Sequence, residues 1–536
     1  MSSQKRFFSG MMLLTLSNVL IKAVGLLFKI PLTNLLGETG MGYFNSAYTI
    51  YAWFYMLTTA GLSVAVSMLV SKYRARGNDS QIKTVLRSTL ILFFLIGLAG
   101  TLIMVFGAGS FARLIKVPEA SLCIMAIAPS LFFSCMSSAF RGYFQGYQIM
   151  FPTAVSQTME AFGKLFIGIS IAKYTLSLGM KVSEAAAFAL LGIAVGIAAG
   201  FLFLCFTKLF FNDKKYSGEY SKLEDFEDEN EGFGKTAINL IKIAIPITIS
   251  SSVMSLTNIF DTLIMTDRLM VYGYSNADAI KIYGNYTSLA MPMFNLPPVL
   301  IYAITYSVIP LITAAVTRKD TETAKRYMKS SIKLTSLIAM PCAIGLSVLS
   351  YQILALFFDI NLVENGAGML SALAPSVFLV CMLAITNAIL QANGYEKKPI
   401  LSMLAGAAVK LVSSYLLIPV LGKYGSPVGT FLCYVTIVAM NMYFVARYTK
   451  VVPGVVDVYV KPLVSGALCG GAAILVSHYL SAPLGLRLST VLAILAAVVV
   501  YFASVLLLRC LSRDDISILP RGEKIYNMLY KIKLVK

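Results

Sequence analysis

Charge is scarce in this sequence. Of 536 residues only 13% are Asp, Glu, Lys or Arg, while 58% are hydrophobic; soluble domains carry about 25% charged residues. No stretch is polar enough to coat the three or four domains that such a length would otherwise require. Histidine is nearly absent: the single His478 excludes multi-histidine metal centres and leaves no partner for a histidine-based catalytic set. The eight cysteines lie scattered through apolar runs without a C-x-x-C pair, so neither a disulfide framework nor a zinc site is implied. Gly234-Lys235-Thr236 imitates the end of a phosphate-binding loop, but Glu229 stands where that motif needs glycine. Lys5 and Arg6 precede an apolar run as in a signal peptide, yet no small-residue cleavage site follows, and the run continues to Leu36 as a membrane helix.

What is present is a series of apolar runs of about 20 residues or more, the length that crosses a bilayer core of about 30 Å. The expected fold is an all-α polytopic membrane protein with fourteen spans: 8–36, 42–71, 88–110, 119–140, 152–175, 184–211, 236–264, 282–316, 330–357, 366–391, 400–421, 425–446, 459–480 and 486–508. With the N-terminus inside, 32 of the 44 Lys and Arg residues, Arg141 among them, fall at cytoplasmic ends and loops, and eight fall outside. That asymmetry predicts cytoplasmic N- and C-termini. The net charge of +19 then reports orientation and contact with anionic membrane lipids. Because the basic residues are spread over many loops, nucleic-acid binding is not expected.

The chain repeats itself. APSLFFSCMSSAFRGYFQGYQIMFP from Ala128 and APSVFLVCMLAITNAILQANGYEKKP from Ala374 share Ala, Pro, Ser, Phe, Cys, Met and Gln at a shift of 246, and Lys164 meets Lys410 at the same shift. Asn45 and Asn285, and Ser67 and Ser307, match at 240. Two six-helix units of the same orientation are implied, a parallel repeat. The expected organisation is an N-lobe over 1–211, an acidic cytoplasmic linker over 212–235, a C-lobe over 236–447, two further helices within 448–509 and a basic cytoplasmic tail over 510–536.

Four lysines fall inside membrane spans: Lys22, Lys29, Lys164 and Lys410. A charge at mid-membrane costs about 2.5–3.5 kcal/mol on insertion scales and should face a cavity or a partner. Lys22 and Lys29 share a helix face with Asn18 and Gly25. Two cations there favour a watered pathway that receives an anionic group; the competing account is snorkelling to an interface. Gln157, Glu160 and Lys164 form a second stripe, in which Glu160 and Lys164 are spaced to pair with each other. Lys410 has Val409 before it and no carboxylate four residues back. Thr257, Asn258 and Asp261, with Ser250 two turns away, suit coordination of Na⁺ or H⁺; the alternative is a helix-end carboxylate paired with Arg268 or a lysine. Gly192, Gly196 and Gly200 make a close-packing surface. Tyr48, Tyr51 and Tyr55 recur at helical spacing, a pattern of packing or of an interface belt before one of sugar stacking.

The segments FRGYFQGYQIMFPTAVSQTMEAFGKL, from Phe140, and SNVLIKAVGLLFKIPLTNLLGETGMGYFNSAY, from Ser17, resemble the stage V sporulation protein B and polysaccharide-export branch of the MOP flippase superfamily, with MurJ-type lipid II flippases as relatives. The resemblance spans nearly the whole chain. It implies a bacterial inner-membrane flippase for undecaprenyl-diphosphate-linked sugars, with Lys22 and Lys29 in a central cavity and Asp261 matching a sodium ligand on helix seven. The expected partner is therefore a lipid-linked sugar diphosphate, handled by a monomer with no cofactor beyond a coupling Na⁺ or H⁺. The rival expectations are a cation-coupled drug or metabolite exporter of the same superfamily, which would favour acidic cavities, and a membrane glycan polymerase or ligase, which would want a large outer loop; every outer loop here is short.

Overall fold

A computed structural model describes residues 3–211, 232–512 and 515. Among these residues the regular structure is entirely helical, as a bilayer requires of a non-barrel chain, since only helices satisfy their own backbone polar groups in lipid. Of the expected linker, 212–231 lies outside the described residues, as does most of the basic tail. The first stretch comprises α1 (Ser3–Ala75), α2 (Asp79–Leu114), α3 (Ala120–Ile127), α4 (Pro129–Gly146), α5 (Phe151–Gly163), a π-helical turn (Lys164–Gly168), α6 (Ile169–Ser177) and α7 (Val182–Leu209). Then follow α8 (Phe233–Tyr272), α9 (Asn276–Asn285), α10 (Met291–Phe294), α11 (Leu296–Thr317), α12 (Thr321–Val348), α13 (Ser350–Phe357), α14 (Ile360–Leu373) and α15 (Pro375–Ala392). The last three are α16 (Lys397–Leu421), α17 (Gly425–Thr449) and α18 (Lys461–Leu507).

Eight helical stretches among the described residues are long and apolar enough to cross a membrane, and three of them run for more than 50 residues. These long stretches hold two spans each. Within α1 the helical path breaks at Gly37, where φ is 67° and ψ is −174°, and within α18 at Gly485, where φ is 74° and ψ is 163°. Only glycine takes such a backbone without a steric penalty, so one residue is enough to break the helical path between spans. The paired segments of the repeat also fold alike: α4 covers 129–146 and α15 covers 375–392, offset by 246 at both ends.

The chain divides into two compact units, Met1–Asp267 with Asn276–Gly284, and Arg268–Ser275 with Asn285–Lys536. Most of α8 therefore groups with the first unit: buried Gln81 of α2 donates to Thr236 Oγ1 of α8 at 3.2 Å. Inside the first unit, α5 and its π-helical continuation lie directly on α7. A Cβ added at Gly192 would stand 2.5 Å from Gly168 Cα, and one at Gly196 would stand 3.0 Å from Gly163 Cα. The glycine stripe of α7 thus meets glycines across the interface, which lets the two backbones touch. Because backbone rather than a flexible side chain opposes it, Gly192→Val should force the helices apart and cost roughly 1–3 kcal/mol by overpacking. Thermal unfolding of the purified variant in detergent would register this as a lowered midpoint.

Candidate functional site

Three helices of the first unit each turn one polar stripe toward a common cavity of about 250 Å³. From α1 come Tyr48, Tyr51 and Tyr55, which lie on one face by their spacing. Ser134 and Arg141, seven residues apart, come from α4. Gln157, Glu160 and Lys164 come from α5 and the π turn that follows it, and Ile193 and Ile197 of α7 close the apolar side. The stripes are held in place by close backbone packing. A Cβ at Gly142 of α4 would lie 2.5 Å from the Ser63 carbonyl oxygen of α1, and one at Gly200 of α7 would lie 2.9 Å from the Ser156 carbonyl oxygen of α5.

The electrostatic centre of the cavity is an ion pair. Arg141 Nη2 donates to Glu160 Oε1, and Arg141 Nε donates to Ser156 Oγ at 3.1 Å. The arginine side chain is 7% exposed and the glutamate 22%. Arg141, counted from sequence among the basic residues at cytoplasmic ends and loops, is buried within α4, five residues before its last residue Gly146. One sequence reading is corrected. Glu160 forms its ion pair with Arg141 across the α4–α5 interface instead of with Lys164 one turn along its own helix. Hydropathy could not separate a helix-end arginine from a buried one. The signal that could have done so was the residue census, since a lone intramembrane glutamate calls for a cation on a neighbouring helix.

With Glu160 matched to Arg141, Lys164 is left as the excess charge of the cavity wall, and Lys29 of α1 lies within electrostatic range of it. Lys29 is half-buried and Lys22 exposed on α1, and neither belongs to the cavity wall, to which α1 adds Ile21 beside the tyrosines. The tyrosines, read from sequence as packing or interface residues, line the same cavity as the charges. Tyr51 shares a hydrogen bond with Ser134 at 3.0 Å, and its ring lies 5.9 Å from those of Tyr48 and Tyr55.

Lys410 occupies a different environment from its repeat counterpart. It belongs to the second unit, is buried, and donates to Thr430 Oγ1 of α17 at 2.9 Å, while that hydroxyl also shares a hydrogen bond with Tyr286 at 3.2 Å. Asp261 is buried in α8, and its neighbour Thr262 shares a hydrogen bond of 2.8 Å with Tyr283. The side chains of Asn18, Ser250, Thr257 and Asn258 lie outside the described residues. No group of three or more His, Cys, Asp or Glu among the described residues is placed to hold a metal.

Membrane-length helices, a repeated segment and, within the first unit, a polar cavity with buried charge are the features of a polytopic transporter. The family profile for polysaccharide biosynthesis proteins matches residues 7–316, and that for MatE matches 246–416. The chain belongs to the polysaccharide biosynthesis protein family, within the MOP superfamily. It is 25% identical to stage V sporulation protein B of Bacillus subtilis (strain 168), over 97% of this chain and 98% of that one. It is 24% identical to the lipid II flippase MurJ of the same organism over 82% of each. Among solved structures, a lipid II flippase MurJ in its inward closed conformation superposes with a TM-score of 0.72, covering 93% of this chain and 98% of that chain at 15% identity. Both MurJ relatives are named as lipid II flippases, a transport activity and not an enzyme's.

A buried ion pair that loses one member leaves the other charge uncompensated, at a cost of about 3–5 kcal/mol, whereas replacing both by apolar groups is often neutral. Arg141→Met should therefore destabilise the protein strongly, and Arg141→Met/Glu160→Met should recover most of the loss. A double-mutant cycle on unfolding midpoints checks this, and a loss in the double variant equal to the sum of the two single losses would show that the pair carries no coupling.

Proposed function

We propose that the protein is a flippase that carries an undecaprenyl-diphosphate-linked sugar, lipid II or a polysaccharide repeat unit, from the inner to the outer leaflet of the bacterial cytoplasmic membrane by alternating access. The observation that carries this reading is the composition of the cavity in the first unit. Arg141, Lys164 and Glu160 leave one net positive charge on its wall, with Lys29 adding a second cation nearby. A diphosphate is drawn to such a wall, and a cationic drug is repelled. The tyrosine wall supports the sugar half of the reading, because aromatic faces stack on the apolar faces of sugar rings while their hydroxyls offer hydrogen bonds. The relatives point the same way, one of them being a lipid II flippase.

Direction follows from electrostatics. With N- and C-termini in the cytoplasm, as the basic loops favour, a headgroup of about two negative charges moves outward down an inside-negative potential. It gains about 4–5 kcal/mol per 100 mV. Asp261, buried and flanked by Thr262, is the group we assign to a coupling cation, Na⁺ or H⁺, with Asn258 beside it in sequence. No nucleic acid is involved, and the working unit is a monomer.

Complementation of a flippase-depleted bacterial strain, with membrane accumulation measured in parallel, tests the proposal. Lys164→Ala and Lys29→Ala should abolish complementation at normal protein levels, and Lys→Glu should be worse than Lys→Ala at either site. Lys→Arg should retain part of the activity, because the charge survives while its point geometry changes. Lys410→Ala, which removes a donor hydrogen-bonded to Thr430, should lower accumulation. Normal rates of flipping in both Lys164→Ala and Lys29→Ala would overturn the cationic-cavity mechanism.

A further inference from the structure

Where α16 begins and α17 ends, the second unit gathers four cations, Lys397, Lys398, Arg447 and Lys450. Aromatic groups hold two of them in place. Tyr395 stacks on Tyr448 with ring centroids 4.5 Å apart, and Lys398 Nζ lies 5.1 Å from the Tyr448 centroid and 5.3 Å from that of Phe444. Arg447 Nη1 donates to the Tyr443 hydroxyl at 3.3 Å. Lys398 and Arg447 also converge on the hydroxyl of Tyr448, and the two cations, Lys398 above all, hold that exposed phenol below the usual tyrosine range. None of the four cations is ion-paired with a carboxylate among the described residues. Glu396 is the single acid of 395–398 and 443–450, so the corner keeps a net charge of +3. Rings and hydroxyls attract a cation without neutralising it, and two cations that share one phenol repel each other unless an anion joins them.

The depth of this corner follows from the sequence. On α17 the residues from Gly425 to Ala446 carry no charge, and on α16 those from Pro399 to Val409 carry none. The cations therefore stand where both helices leave the hydrocarbon, the level of lipid headgroups. An apolar row starts there. Val435, Ala439 and Tyr443 are exposed at four-residue spacing along α17, and Arg447 is the next residue of the same row. A convergent cation pair at headgroup depth, continuous with an exposed apolar row, has the two-part chemistry of an anionic phospholipid.

We propose that this corner binds the phosphate of an anionic phospholipid, with Lys398 and Arg447 as its ligands, Lys397 and Lys450 flanking them, and an acyl chain along the Val435–Tyr443 row. The site belongs to the second unit and shares no residue with the cavity of the first, and its test does not depend on what the protein carries.

The full chain, purified in detergent, is offered phosphatidylglycerol, phosphatidylcholine or inorganic phosphate. Retained lipid is counted by native mass spectrometry and the unfolding midpoint is followed by heating. Wild-type protein should retain phosphatidylglycerol at least fivefold more than phosphatidylcholine and gain stability from it saturably. Lys398→Ala/Arg447→Ala should bring phosphatidylglycerol down to the phosphatidylcholine level. Lys83→Ala/Arg87→Ala, which removes two exposed cations of α2, should leave phosphatidylglycerol retention unchanged. Val435→Asn should weaken retention with the cations intact. Should the Lys398/Arg447 pair of substitutions prevent accumulation, Arg447→Gln alone carries the test and should lower retention at least twofold, since this side chain is exposed. Phosphatidylglycerol retention equal to wild type in the Lys398 and Arg447 variants, or an equal loss in the α2 variant, would overturn the site. Stabilisation by inorganic phosphate equal to that by the lipid would make it a free-phosphate site instead.

Discussion

Inside a membrane helix, a buried guanidinium needs a hydrogen-bonding partner, and a counter-charge on a neighbouring helix is the strongest one. Arg141 on α4 and Glu160 on α5 meet this requirement for each other, and much of the first unit is arranged around their meeting. Glycines at α4–α1 and α5–α7 bring the backbones close enough for the side chains to reach. The pair also sets the charge of the cavity. Because Glu160 is matched to the arginine, Lys164 stands as excess positive charge in a cavity that three tyrosines also line.

The same logic appears in the second unit with other solutions. Lys410 is buried against a hydroxyl network of Thr430 and Tyr286, and Lys333 is held by Asp515 from the segment after α18. The repeat places Lys164 and Lys410 at matching positions, yet only Lys164 stands on the wall of the cavity described in its unit. Duplication has conserved where the charge sits along the helix, while each unit satisfies it differently. The backbone shows the divergence too, since the π turn begins at Lys164, whereas α16 runs unbroken through Lys410. Such insertions re-aim the residues that follow them and recur at functional sites.

Fold class, the helical spans and the repeat were legible in the sequence, because the bilayer permits so few backbone solutions that hydropathy and length suffice to read them. The breaks at Gly37 and Gly485 fall between predicted spans for the same reason. The stripes of the cavity were legible one helix at a time: Gln157–Glu160–Lys164 and Tyr48–Tyr51–Tyr55 each follow from a period of 3.6 residues. Which stripes face each other was not legible. Periodicity states what shares a face of one helix and is silent about the neighbouring helix, so Arg141 read as a cation at a cytoplasmic helix end and the tyrosines as packing or an interface belt. Their convergence, and the pairing of Lys333 with Asp515, were decided by tertiary packing, because an ion pair or a cavity wall depends on distances between segments far apart in the chain, and only the fold sets those distances.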